Sequence, residues 1–162
     1  MIIVVMGVAG SGKTTIGQLL SSKLGWPFFE GDDFHSKANV EKMAQGTPLT
    51  DEDRADWLSA IAGQIKLLEK ESRSGVIACS ALKNSYRIKL SKAAKDIKFV
   101  FLRGDYDLLQ ERLESREGHF MKPSMLKSQF ETLEEPENSI DVDIKDAPEK
   151  IVDTIIQMIR KK

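Results

Sequence analysis

The sequence predicts an α/β fold: a mostly parallel five-stranded sheet with helices on both faces. Short apolar segments alternate along the chain with segments of helical periodicity, which is typical of right-handed βαβ units. The first apolar segment also runs directly into a glycine-rich loop and then a helix. With 162 residues and no repeat, low-complexity tract or obvious linker, residues 1–162 are expected to form one domain.

The first strand is predicted at Ile2–Met6, where every residue is apolar, as in a strand buried on both faces. A helix should begin at about Lys13 and stop at Gly25, because apolar residues recur at helical spacing between them. The residues that join strand and helix, GVAGSGKT at 7–14, fit G-x-x-x-x-G-K-[ST], the P-loop motif. The glycine spacing excludes a dinucleotide-binding G-x-G-x-x-G.

This loop has the chemistry needed to hold the phosphates of a nucleotide. Its glycines let successive N–H groups point at an anion, and the positive end of the following helix dipole faces the same place. Lys13 should reach the β- and γ-phosphates, while the Thr14 hydroxyl should bind Mg²⁺. ATP and Mg²⁺ are therefore the predicted cofactors. The predicted cofactor-binding residues are Gly7, Val8, Ala9, Gly10, Ser11, Gly12, Lys13, Thr14 and Thr15.

The next elements follow from apolar patterning and helix-start signals. A second strand is predicted at 26–30, a short helix at 36–45 and a third strand at 76–80. A longer helix is predicted between the short helix and the third strand. Thr50 or Asp51 should cap it, since acidic residues occupy its first turn. Its predicted apolar stripe is Trp57, Leu58, Ile61, Ile65 and Leu68.

The C-terminal half continues the alternation of helix and strand. Helices are predicted at about 83–94, from Tyr106 and at 124–132, with strands at 99–102 and 140–144. Pro148 should begin the last helix, which is expected to turn Ile151, Ile155 and Met158 inward. By analogy with related folds, the adenine pocket is expected to involve the flank of the lid and the loop before this last helix, near Ala147 and Pro148.

Charge and cysteine content narrow the function classes. The formal net charge is -1, which argues against a nucleic-acid-binding surface spread over the molecule. The single cysteine, Cys79, is most simply a packed core residue and suits a reducing cytoplasm. The N-terminal apolar run is too short for a signal peptide or membrane span, so a cytoplasmic location is expected.

Polar residues at the strand ends indicate what is done to the bound phosphate. Ligands bind at the carboxyl ends of parallel strands, which gathers the P-loop, 32–35, 80–83 and Arg103 at one edge. The third strand ends without an acid, so Asp32 is the predicted base or metal anchor, unless it only caps the following helix. This favours a small-molecule kinase over a motor-type ATPase.

A lid is predicted at about 112–132. The stretch RLESREGHFMK at 112–122 places Arg112 and Arg116 at i, i+4 on one helix face. Arg112, Arg116 and Lys122 are candidates to close over ATP and to neutralise charge in the transition state. The alternative is a solvated charged face.

Three stretches carry a more specific resemblance. GDDFHSKANVEKMAQGTPLTDEDRADWL, CSALKNSYRIKL and ESREGHFMKPSMLKSQFETLEEP, together with the P-loop, resemble the gluconokinase family, P-loop kinases related to shikimate kinase. The resemblance spans most of the chain from residue 7 to 136. It implies Mg²⁺-dependent transfer of the ATP γ-phosphate to the 6-hydroxyl of D-gluconate, and a homodimer.

The resemblance also implies roles for individual residues. Asp32 would face the acceptor hydroxyl and Mg²⁺, and His35 would help to bind the sugar acid. Arg54 would grip the carboxylate of gluconate with two parallel bonds. Lys83 and Arg87 would point toward the same pocket, and His119 would lie in or beside the lid. The catalytic set is then Lys13, Asp32, Arg112 and Arg116. Two positions depart from the family pattern: Ser36 and Asp56 each stand where proline is usual.

Alternatives remain open at this point. One is a kinase for another small polar acceptor, such as shikimate or a different sugar acid, which the contacts at Asp32, His35, Arg54 and Lys83 would distinguish in a panel of substrates. A nucleoside monophosphate kinase would need a base-reading segment, which we do not find. The alternative of another class is a non-catalytic nucleotide-binding switch module, which would bind ATP without acceptor-dependent turnover.

Overall fold

The five strands of the computed structural model form one parallel sheet. The structure describes residues 1–115 and 124–161. The sheet order is β2-β3-β1-β4-β5, and every neighbouring pair is parallel, as the sequence predicts. The strands are β1 (Ile2–Met6), β2 (Phe28–Glu30), β3 (Gly75–Ala78), β4 (Ile97–Arg103) and β5 (Ile140–Asp143).

Helices connect these strands at close to the predicted bounds. They are α1 (Lys13–Leu24), α2 (Lys37–Ala44), α3 (Asp51–Lys70), α4 (Asn84–Ser91), α5 (Tyr106–Glu114), α6 (Ser124–Thr132) and α7 (Pro148–Arg160). A 3₁₀ turn, Gly31–Phe34, separates β2 from α2. The predicted cap of α3 is confirmed, because the Thr50 hydroxyl and the Asp53 carboxylate form a reciprocal capping box.

Alternate side chains of β1 enter two separate cores, one on each face of the sheet. Ile3 and Val5 belong to the core that α1, α5, α6 and α7 cover. Ile2, Val4 and Met6 belong to the core that α3 and α4 cover. A third, smaller cluster joins Met43 of α2, Leu49 and Met125 of α6 above the carboxyl edge of the sheet. The predicted three-layer arrangement is therefore confirmed.

Two details of the sequence prediction are wrong. The second strand begins at Phe28 rather than Trp26, because hydrogen bonds hold Trp26 to the end of α1. The Trp26 N–H donates to the Ser21 carbonyl, and the Ser21 hydroxyl donates to the Trp26 carbonyl. Met158 is 39% exposed rather than inward. The buried stripe of α7 runs through Ile151 and Ile155 and continues at a spacing of four residues, which leaves Met158 outside it.

Among the residues that the structure describes, no helix combines the length and the hydrophobicity needed to cross a membrane.

Candidate active site

The P-loop adopts the conformation that phosphate binding requires. Gly10 and Gly12 have φ of 78° and 94°, in the left-handed region that favours glycine, so the turn carries no side-chain strain. The loop leads into the N-terminus of α1. The Lys13 ammonium donates to the Val8 carbonyl across the loop at 3.0 Å. The nest is therefore formed before any nucleotide arrives, with the positive helix end behind it.

A residue of α6 also contacts the P-loop, which the sequence does not predict. The buried Gln129 carboxamide accepts a hydrogen bond from the Ala9 N–H at 2.7 Å. No signal in the sequence identifies this contact, because 120 residues separate its two partners. It ties the described part of the predicted lid to the phosphate-binding loop.

Beside the P-loop, the end of β2 supplies two carboxylates. Glu30 accepts a hydrogen bond from the Thr14 hydroxyl and a second one, at 3.3 Å, from the Asp32 N–H. Asp32 lines the same cleft as Lys13 and Thr14. Sequence reasoning missed Glu30, although an acid at the end of a parallel strand next to Gly31-Asp32 was a usable signal.

These oxygens fit Mg²⁺ in their chemistry. Thr14, Glu30 and Asp32 offer hard oxygen donors, which Mg²⁺ prefers, and the Thr14 hydroxyl keeps a lone pair while it donates to Glu30. Within the described residues, no cluster of three or more His, Cys, Asp and Glu forms a dedicated cage. Mg²⁺ is usually bound through one or two protein groups and the substrate phosphates.

His35 forms the opposite wall of the cleft. Its ring stacks on Trp57 with centroids 4.3 Å apart and an interplanar angle of 11°. The Trp57 indole donates to the Gly31 carbonyl at 2.8 Å, which fixes the stack to the 3₁₀ turn. Burial lowers the pKa of His35 from its usual 6.5 to about 4; the Asp32 charge opposes this shift and Arg54 adds to it. His35 is therefore uncharged at neutral pH.

The predicted carboxylate-binding arginine is held in a network at the rim of the cleft. Arg54 donates to the Tyr86 hydroxyl at 3.0 Å, and Tyr86 in turn donates to Asp51. Lys83 donates to both Asp51 oxygens, at 2.8 and 3.0 Å, and these bonds raise the pKa of Lys83 and lower that of Asp51. Arg54 lines the cleft, whereas Lys83, which was expected to point toward the same pocket, is not among the lining residues and pairs with Asp51 instead.

The predicted direction of Arg87 is wrong. Its guanidinium donates to the backbone carbonyls of Ala81, Leu82 and Glu134, at 2.7, 3.1 and 2.7 Å. These bonds turn the side chain away from the cleft, and Arg87 is only 5% exposed. The i, i+4 spacing with Lys83 placed both residues on one helix but did not fix where Arg87 points. The structure gives it the role of joining α4 to the segment after α6.

Arg112 lies behind the P-loop rather than over the cleft. It donates to the Ile144 carbonyl at 3.0 Å and lines a second cavity with Gly12, Thr15 and Pro148. This cavity includes the position at which the sequence reasoning expected the adenine. Arg116, Lys122 and His119 lie outside the described residues.

The two departures from the family pattern leave the cleft intact. Ser36 has φ -65°, the angle that proline would also adopt, and its hydroxyl caps α2 by accepting from the Asn39 N–H at 3.1 Å. Asp56 is exposed and does not line the cleft. Cys79 is buried, as predicted, and its burial raises the pKa of the thiol to about 12.

The fold and the cleft together define a P-loop kinase that acts on a small molecule. The family model that matches is described as shikimate kinase and covers residues 9–160. The chain is 40% identical to the thermoresistant gluconokinase of Escherichia coli (strain K12), over 99% of this chain and 94% of the relative. It is 46% identical to the gluconokinase of Gluconobacter oxydans, over 96% and 86% of the two chains.

A solved structure agrees with these relatives. The unliganded structure of a sugar kinase from a Janibacter species superposes with a TM-score of 0.93 at 41% identity, over 98% of this chain and 94% of the other. The chain belongs to the gluconokinase family, within the shikimate-kinase-like P-loop kinases.

Proposed function

We propose that this chain transfers the γ-phosphoryl group of ATP to the 6-hydroxyl of D-gluconate, which gives 6-phosphogluconate and ADP. One observation carries the proposal. Lys13 and Thr14 of the P-loop line the same cleft as Asp32, His35 and Arg54, the acceptor residues that the family resemblance implies. The chain also shares 40–46% identity with proteins named gluconokinase.

The nucleotide would occupy both sides of the P-loop. The nest of N–H groups and the Lys13 ammonium suit the β- and γ-phosphates. The second cavity, behind the loop, offers the Arg112 guanidinium and the Pro148 ring as flat partners for a purine. In this arrangement, Arg112 contacts the base. Lys13 and Arg116 of the predicted lid then neutralise the negative charge of the phosphoryl group in the transition state.

Mg²⁺ would be held by Thr14 and Asp32, with Glu30 positioning both through its two hydrogen bonds. The ion, when bound, neutralises charge on the phosphates and orients the γ-phosphoryl group. Asp32 then accepts the proton of the attacking hydroxyl, because its carboxylate faces the cleft beside Lys13.

The acceptor would lie between Asp32 and Arg54. A guanidinium binds a carboxylate through two parallel hydrogen bonds, which fits the carboxylate end of a sugar acid. The wall between them contains the apolar Met43, Leu49 and Met125, which can exclude water when the acceptor is bound. We further propose that residues 1–162 form one domain, which works in the cytoplasm as a homodimer.

A coupled assay of ADP release tests the proposal. D-gluconate, shikimate, other aldonates and no acceptor are compared in parallel, and turnover is expected with D-gluconate. Asp32→Asn should abolish turnover but retain ATP binding. Asp33→Asn is the matched control, because Asp33 is the exposed neighbour and does not line the cleft.

Other outcomes identify the alternatives. Turnover with a different acceptor keeps the kinase but changes its substrate. ATP binding with no acceptor-dependent turnover overturns the enzyme and favours the nucleotide-binding switch.

A further inference from the structure

The side chain of Asn39 is buried between two partners on the acceptor side of the cleft. Its Nδ2 atom lies 2.8 Å from the Asp53 carbonyl oxygen and 3.4 Å from His35 Nδ1. Asn39 is only 5% exposed and lies in the first turn of α2, where its backbone N–H donates to the Ser36 hydroxyl. One terminal atom of the amide therefore faces both partners.

The Asp53 carbonyl decides which end of the amide this is. A backbone carbonyl only accepts hydrogen bonds, so the atom 2.8 Å from it must be the NH₂ group and not the amide oxygen. The reverse orientation would press two acceptor oxygens together in a buried place, which is costly. The NH₂ group can only donate, so Nδ1 of His35 must accept.

We propose that Asn39 is a positioning residue that holds His35 in the tautomer protonated on Nε2, so that His35 donates a hydrogen bond to the acceptor hydroxyl. Within residues 1–115 and 124–161, the imidazole makes no hydrogen bond besides the one with Asn39. The Trp57 stack fixes the plane of the ring, and Asn39 fixes its rotation about that stack. The Nε2–H is then the polar group of this ring that remains for a ligand in the cleft.

The tautomer matters because His35 and Asp32 line the same cleft. A hydroxyl has a single proton to donate, so it cannot donate to a carboxylate and to an unprotonated imidazole nitrogen at once. With Nε2 protonated, the hydroxyl accepts from His35 and directs its own proton to Asp32. The amide of Asn39 thereby selects the hydroxyl orientation that deprotonation by Asp32 requires. This inference deepens the proposed function and rests on it for the identity of the acceptor.

Nitrogen NMR reads the tautomer directly, without any substrate. The chain has two histidines, so a sample labelled with ¹⁵N only in histidine gives two imidazole spin systems. A His119→Gln variant assigns them. Couplings between the nitrogens and the ring carbon-bound protons identify Nε2 and Nδ1, and the ¹⁵N shift reports which one carries the proton. Near neutral pH, His35 is expected to be protonated on Nε2 and unprotonated on Nδ1.

Two variants and one control separate positioning from folding. Asn39→Ala removes the donor. Asn39→Asp replaces it by an acceptor of the same size, which should put the proton of His35 on Nδ1 and, because the carboxylate also faces the Asp53 carbonyl, should lower Tm. Ser36→Ala is the control, since it weakens the cap of the same helix but leaves the Asn39 amide in place. Circular dichroism and thermal unfolding confirm that each variant is folded.

The kinetic readout is kcat/KM for the acceptor alongside KM for ATP. We expect both Asn39 variants to lose roughly tenfold in kcat/KM for D-gluconate, about one hydrogen bond, with KM for ATP unchanged. Ser36→Ala should keep the wild-type tautomer.

Two results would overturn the inference: a wild-type His35 protonated on Nδ1, or an Asn39→Asp protein that keeps the wild-type tautomer. A failure of the proposed function is distinguishable. In that case the tautomer of the free protein is as stated, and D-gluconate is not turned over.

Discussion

The substitution Gly31→Ala tests how the end of β2 positions the cleft. A Cβ at Gly31 would lie 2.2 Å from the Ala78 carbonyl oxygen and 3.3 Å from the Cys79 Cα, both of them backbone atoms at the end of β3. Carbon and oxygen remain about 3.3–3.6 Å apart even in favourable contacts. The ends of the two strands must therefore separate by about 1 Å, because no flexible side chain is there to move aside.

The cost of this separation can be estimated for stability and for activity. Overpacking of this kind costs about 1–3 kcal/mol of unfolding free energy. For a chain of this size, Tm should fall by roughly 2–4 °C for each kcal/mol. Gly31 precedes Asp32 and its carbonyl accepts the Trp57 indole N–H, so the shift also moves the carboxylate and the His35 stack. A misplacement of about 1 Å lowers kcat by roughly 100-fold.

Gly63→Ala is the matched control, because it is the same chemical change with the opposite expected sign. Gly63 lies on the exposed face of α3, and a Cβ there meets no atom within 4 Å. Alanine should stabilise the helix by about 0.5–1 kcal/mol and leave kcat unchanged. The assays are differential scanning calorimetry and the coupled ADP assay on the same samples. If Gly31→Ala unfolds and turns over like the wild type, the argument from close approach is refuted.

Four further predictions concern the site and its supports. Glu30→Gln keeps an acceptor for Thr14 but removes a charge, so the Mg²⁺ concentration for half-maximal turnover should rise about tenfold; an unchanged Mg²⁺ titration would show that Glu30 does not position the groups that hold Mg²⁺. Tyr86→Phe removes the hydroxyl that holds Arg54, so KM for D-gluconate should rise up to about tenfold at constant kcat; a change in kcat alone would contradict this. Arg87→Met removes three hydrogen bonds and leaves the Ala81 and Glu134 carbonyls without this donor, whereas the Leu82 carbonyl still accepts from the Glu134 N–H. It should lower the unfolding free energy by about 3 kcal/mol, measured by urea denaturation, with KM for D-gluconate unchanged. For His35, burial lowers the pKa from 6.5 to about 4, so the unfolded chain takes up this proton first as the pH falls. The stabilising contribution of His35 is thus present above about pH 6.5 and lost on acidification toward pH 4, and His35→Asn should show a correspondingly weaker loss of Tm over that range.

The parts of this structure that depend on local sequence were predictable. Five consecutive apolar residues predict a buried strand, and the motif that follows specifies a backbone shape without help from elsewhere. The cap of α3 likewise depends on four consecutive residues, Thr50 to Asp53, which are visible in the sequence. Asp32 and His35 line the cleft as expected, because both follow the end of β2; Arg54, whose role only the family resemblance implied, lines it as well.

The parts that depend on distant partners were not predictable. Gln129 contacts Ala9 across 120 residues, and its position in a helix gives no sign of this. Arg87 and Lys83 are both basic residues four positions apart, yet one binds backbone carbonyls and the other Asp51. The choice depends on where the segment after α6 passes, which periodicity does not encode.

The order of the strands places the segments that bind the two substrates differently in the sheet: the phosphate loop follows an interior strand, and the acceptor segment follows an edge strand. The phosphate loop follows β1, which has a neighbouring strand on either side, whereas the acceptor segment follows β2, a three-residue strand at the sheet margin with one neighbour. Changes in the acceptor segment after Asp32, up to Trp57, should therefore leave the contacts of β1 and the phosphate loop in place. Substitutions in the acceptor segment can therefore change which acceptor is bound while ATP binding is retained, so this architecture favours enzymes with different acceptors and the same phosphoryl donor.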